Sequence, residues 1–161
     1  MTGETGSIEH ELDAPPWRRV EATLMATSRG IRRAYDTRLA ETGLNLSEAS
    51  LLAYVKEYGA STQTQLAERL ALGRAAVGSV IDALESKGLV TRRPDSTDRR
   101  VWLVSVTPEG SALAVRVVAI DAQFRDDLRT GITREERRQL ADMLLRLQEN
   151  ISSVLNPEVT V

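Results

Sequence analysis

Residues 80–110 read VIDALESKGLVTRRPDSTDRRVWLVSVTPEG, and each part of that stretch has a physical reading. Val80, Ile81 and Leu84 recur at helical spacing, and Gly88 is a C-terminal stop. LVTRR (89–93) and RVWLVSV (100–106) are β-favouring runs, parted by PDSTDR with its proline and two turn-forming aspartates. Together they predict a β-hairpin. Thr107-Pro108 then supplies an N-cap followed by proline at the first helical position, so a helix opens directly after the hairpin.

Working outward, STQTQLAERLAL (61–72) starts a short helix, because Thr62 and Gln65 have the spacing of a capping box, and Gly73 breaks it. The helix over 74–87 follows at once. Two helices joined by a tight turn around Leu72-Gly73, then a hairpin, make a winged helix-turn-helix. Ser47 is read as the cap of a helix running through Tyr58, with Leu51, Leu52 and Val55 inward. Before it, Asp13, Pro15 and Pro16 start a long helix carrying Trp17, Val20, Leu24, Ile31, Tyr35 and Leu39 on one side, closed by Gly43. After the hairpin, Leu113, Val117, Ile120, Phe124 and Leu128 line a helix that reaches about Thr130, with Gly131 as its stop. Thr133 and Glu136 form another capping box, opening a last helix with Leu140, Met143, Leu144, Leu147, Ile151, Val154 and Leu155.

The expected fold class is therefore mainly α with a small β-hairpin wing. Residues 1–13 read as a flexible tail, 44–107 as the winged helix-turn-helix, and 14–43 with 108–161 as a helical dimerisation domain drawn from both termini. The first and the last two helices have wide apolar stripes and no other evident core to join. Aromatics are only 4%, so the core rests on Leu, Val, Ile and Ala.

Composition excludes several classes of function. There is no cysteine, hence no disulfide, thiolate metal site or cysteine switch. No run approaches the length of a membrane span, and MTGETGSIEHELDAPP is not a secretory signal, so a cytoplasmic location is expected. The one histidine, His10, lies in the tail; no phosphate loop, nucleophile pair or metal cluster appears. Glu135-Glu136 and Asp126-Asp127 sit among arginines as solvated helix faces. Neither an enzyme nor a cofactor is expected.

Net charge is −2, yet from Lys87 to Arg100 five basic residues face only Asp95 and Asp98, a local +3 that leaves −5 for the rest. A focused electropositive element on an acidic body suits a focused contact with an anion, and the winged helix-turn-helix arrangement makes double-stranded DNA the expected partner. Arg99 and Arg100 at the hairpin tip can enter a minor groove, where the potential is most negative. Arg92 and Arg93 can touch flanking phosphates, and Asp98 can brace the tip by accepting from turn amides or holding an arginine. On helix 74–87, Arg74, Ala75, Ala76 and Ser79 project opposite the Val77-Val80-Leu84 stripe and are the base-reading candidates in the major groove. Thr62, Gln63 and Thr64, at a helix start, are placed for phosphate.

STQTQLA at 61–67, with Leu84-Glu85, Gly88, Asp98-Arg99-Arg100, Thr107 and Gly110, resembles the signature of the MarR (multiple antibiotic resistance regulator) family of bacterial regulators. The likeness departs at Gly73, where the family commonly has a Ser or Asp cap, and at Gly78 and Ser79. It implies a homodimeric DNA-binding transcriptional regulator, most often a ligand-responsive repressor, reading a pseudo-palindromic operator through recognition helix 74–87 and wing 89–106. It also implies a small aromatic or phenolic effector bound between the dimerisation helices and the winged module, for which Tyr35, Arg38 and Tyr54 are candidates. The alternative is a helical dimer that serves as a protein–protein adaptor or anti-repressor, its winged module no longer binding DNA.

Overall fold

The computed structural model describes residue 15 and residues 19–156. The expected tail, His10 and the start of the first helix around Asp13, Pro16 and Trp17 lie outside the described residues. In order, the elements are α1 (Val20–Leu39), a 3-10 turn (Ala40–Thr42), α2 (Leu46–Tyr58), β1 (Ser61–Thr62), α3 (Gln63–Arg69), α4 (Arg74–Ser86), β2 (Val90–Pro94), β3 (Trp102–Val106), α5 (Pro108–Leu128) and α6 (Arg134–Leu155). The chain divides into two compact units at Ala122/Gln123.

Most breaks expected from the sequence have the local chemistry that was read into them. Gly43 adopts φ +67° after the 3-10 turn, and Gly88 adopts φ +70° after α4, a left-handed backbone that favours glycine. Thr62 caps α3 reciprocally with Gln65, and Thr133 caps α6 with Glu136. Thr107 opens α5, its Oγ1 accepting from the Gly110 amide at 3.0 Å. One cap is corrected. The N-cap of α2 is Asn45, not Ser47: Asn45 Oδ1 accepts from the Glu48 amide at 3.0 Å, and Glu48 Oε2 accepts from the Asn45 amide at 3.1 Å. Ser47 lies inside the helix that this box starts.

The sheet has three antiparallel strands in the order β1-β3-β2, so the hairpin gains a short partner that the sequence reading did not include. Ser61 pairs with Val104 and Thr62 with Leu103. In the hairpin, Val90 faces Val106, Arg92 faces Val104 and Pro94 faces Trp102. Side chains alternate across a strand. Val90, Arg92 and Pro94 therefore share one face with Val104, and Val90 and Val104 are both buried.

The core of the first unit gathers Leu39 and Leu44, Leu51, Leu52 and Val55 of α2, Leu66, then Val77, Ile81 and Leu84 of α4, with Val90, Val104, Ala114 and Val117. It crosses the expected limits at 43/44 and 107/108, because the end of α1 and the first turns of α5 pack into it. The carbonyl of Leu89 accepts from the Thr107 amide at 3.0 Å, and a Cβ on Gly110 would lie 1.9 Å from that oxygen, so only glycine fits where α5 passes the hairpin.

Burial fades along α1, from Leu39 at 2% exposed to Val20 and Leu24 at 42% and 39%. In the second unit, α6 has no buried residue at all. Leu140, Met143, Ile151, Val154 and Leu155 are all exposed along it.

Candidate nucleic-acid interface

The wing tip is organised by two aspartates that the sequence places in its turn. Asp95 Oδ1 accepts from the amides of Thr97 (2.8 Å) and Asp98 (3.0 Å) and from the Thr97 hydroxyl. The Thr97 hydroxyl, the largest influence, and the two amides hold the Asp95 carboxyl below the ordinary aspartate range. Asp98 Oδ1 accepts from the Arg100 amide at 3.0 Å, the turn-bracing contact expected of it. Backbone bonds from Asp95 to Val101 and from Val101 to Asp98 close the tip. Arg99 and Arg100 stand exposed on this framework. The turn is fixed before any partner arrives, which lowers the ordering cost of binding.

Arg93 is exposed on the sheet face opposite Val90 and Val104. Arg92 differs. Expected to touch a flanking phosphate, it has its guanidinium engaged in the free chain by two carboxylates of α4, Asp82 and Glu85. Glu85 also accepts from the Arg92 amide at 3.1 Å. Partial burial works against the charge, but the hydrogen bonds to Asp82 and Glu85 outweigh it and hold the guanidinium above its ordinary value.

On α4, Val77, Ile81 and Leu84 are buried, while Arg74, Ala75, Ala76 and Ser79 are exposed together. Gly73 is the N-cap without a side-chain bond, and the Ser79 hydroxyl donates back to the Ala75 carbonyl at 3.2 Å. Of the α3 candidates, Thr64 is exposed, Thr62 is taken up in capping, and Gln63 Nε2 donates to the Arg74 carbonyl at 3.2 Å. Gln63 thus joins the first residues of the two helices. A Cβ on Gly78 would come within 3.1 Å of the same amide nitrogen, so the small residue that departs from the family pattern leaves Gln63 its room.

The effector candidates fall in different surroundings. The Tyr35 hydroxyl donates to Asp121 Oδ1 at 2.7 Å. Tyr54 lies against Tyr58 with ring centres 4.6 Å apart, and both line an open hollow of about 540 Å³ with Gln65, Glu68 and Arg69, which includes neither Tyr35 nor Arg38. Among the described residues no acidic, histidine or cysteine cluster suits a metal, and no helix is long and apolar enough to cross a membrane.

The chain and its fold are matched by known proteins. The MarR family profile matches residues 44–102, the span from α2 to the start of β3. The regulator PecS of Dickeya dadantii (strain 3937), described as an HTH-type transcriptional regulator, is 30% identical over 144 residues, covering 88% of this chain and 86% of its own. The chain belongs to the MarR family. This MarR-family protein is accordingly a DNA-binding transcriptional regulator with a winged helix-turn-helix fold. Two solved structures extend the likeness of fold. The S. aureus MepR–DNA complex superposes with a TM-score of 0.75 at 20% identity, covering 81% of this chain and 96% of that one. The organohalide-sensing regulator RdhR-CbdbA1625 in its 2,4-dichlorophenol-bound form gives 0.80 at 18% identity, covering 100% and 95%.

Two features of this region lie beyond the residues expected from the sequence. The Asp82/Glu85 pair on α4 has a signal in the sequence, since acids at i and i+3 share a helix face. The third strand has none, because two residues have no periodicity.

Proposed function

We propose that this protein is a homodimeric, ligand-responsive repressor that binds a pseudo-palindromic operator. The recognition helix α4 enters the major groove with Arg74, Ala75, Ala76 and Ser79, and the wing places Arg99 and Arg100 in the flanking minor groove. Arg93 and Thr64 meet phosphates. The observation that carries this reading is the wing tip, where two arginines are presented on a turn already braced by Asp95 and Asp98. The small residues of α4 offer few hydrogen bonds to bases, so wing contacts and DNA shape supply much of the specificity.

A second copy is the partner proposed for the apolar stripe of α6. This helix of 22 residues, roughly 33 Å long at 1.5 Å per residue, has no buried residue, and Leu140, Met143, Ile151, Val154 and Leu155 of its apolar stripe are exposed in a single copy. Burying the stripe against a symmetry mate stabilises it by about 1.5–3 kcal/mol for each large side chain fully covered. Two-fold symmetry then sets two half-sites about one helical turn apart. The effector is a small phenolic or aromatic acid, a class suggested by the dichlorophenol complex of the structural relative, with Tyr35, Arg38 and Tyr54 as its candidate contacts.

The test is fluorescence-anisotropy titration of the purified protein against duplex DNA from upstream of its own gene, at several salt concentrations. Tight binding that falls steeply with salt supports the reading. Binding that ignores salt, or none at low ionic strength, overturns it in favour of an adaptor.

A further inference from the structure

The two carboxylates that hold Arg92 belong to the helix that reads DNA, and the arginine belongs to the wing. We infer that Arg92 is a positioning residue: bridged to Asp82 and Glu85, it fixes the angle of the hairpin to the recognition helix so that both enter their grooves together. The inference rests on the DNA-binding reading above.

Strand register explains how the contact arises. Arg92 lies on the same sheet face as the buried Val90 and Val104, so its side chain leaves the strand toward the interior and α4 rather than toward solvent. Its side chain is 26% exposed, against 70% for Asp82 and 39% for Glu85. Asp82 and Glu85, one turn apart on α4, flank the guanidinium from the helix side. Glu85 grips strand β2 twice, through the guanidinium and through the Arg92 amide. A planar guanidinium held by two acids, one of which also holds the backbone, fixes direction as well as distance. Lysine, a single point charge, would not. An arginine reserved for phosphate would need to leave both acids and desolvate again, which makes it a poor DNA contact and a good strut.

The two roles predict opposite signs in a double-mutant cycle. Duplex affinity is measured at fixed ionic strength for the unaltered protein, for Asp82→Asn/Glu85→Gln, for Arg92→Ala, and for the triple variant. Neutralising the acids in the Arg92→Ala background reports their bare repulsion of DNA. A strut requires that the same neutralisation with Arg92 present be less favourable by at least about fivefold, because it also frees the wing; Arg92→Ala alone should lose about tenfold, and Arg92→Lys should fall between. A phosphate contact requires the reverse, since removing the acids would release Arg92 to the DNA. Amide hydrogen exchange of the free protein is a second measure. Asp95 and Val101 should exchange several-fold faster in Arg92→Ala while Leu51 and Ile81 in the core stay protected. Coupling of the opposite sign, or unchanged exchange at the wing, would overturn the strut. A wild-type protein that binds no duplex would instead remove the DNA-binding reading, leaving the exchange result to judge the Arg92 bridge by itself.

Discussion

Arg99 and Arg100 are the residues on which the proposed grip depends. Replacing Arg100 by alanine should weaken operator binding by about 1–3 kcal/mol, and Arg99→Ala by less, with the dimer intact by sedimentation. Unchanged affinity in both would remove the wing from the mechanism. Asp95 carries a pH dependence. Its folded-state pKa is lowered by Thr97 and Asp98, so its support of the turn is present above the ordinary aspartate range and is lost as pH falls through the lowered value. A ¹³C titration of the Asp95 carboxyl should give a midpoint below that of an exposed aspartate, and a midpoint at or above it would contradict the bracing role. Gly110 is a packing position. Gly110→Ala drives a methyl into the Leu89 carbonyl and should cost about 1–3 kcal/mol in thermal unfolding. Much of this site was legible in the sequence, because Asp98, Arg99 and Arg100 stand adjacent in a turn whose chemistry is local. Arg92 was not: whether an arginine meets phosphate or carboxylate depends on α4 residues seven and ten positions away, which only the strand register brings into reach.

At the scale of elements, the helices and the hairpin followed from periodicity, caps and stops, each of which acts within a few residues. Asn45 in place of Ser47 shows the limit of that reading, since both are good caps and the reciprocal bond from Glu48 decides between them. β1 shows another: Ser61 and Thr62 form a strand only because β3 offers them an edge. The stripe of α6 is readable as apolar, and the structure adds that none of its residues is fully buried. Truncation after Gln139 removes most of that stripe. The 1–139 fragment should neither dimerise nor fold, and a stable monomeric fragment by sedimentation would refute the architecture.

At the scale of the whole molecule, salt dependence reports how many phosphates the proposed dimer neutralises. For about six to ten contacts, affinity should fall roughly 10³–10⁵-fold between 50 and 200 mM salt. Lys87, just past α4, donates to the Gly43 carbonyl at 2.9 Å and to Oε2 of the buried Glu48 at 2.8 Å. A single ammonium thus ties the corner between α1 and α2 to the end of α4. Because free energies of coupled equilibria are reciprocal, any compound that displaces this corner and loosens the operator must itself be held more weakly, by the same factor, once the operator is bound.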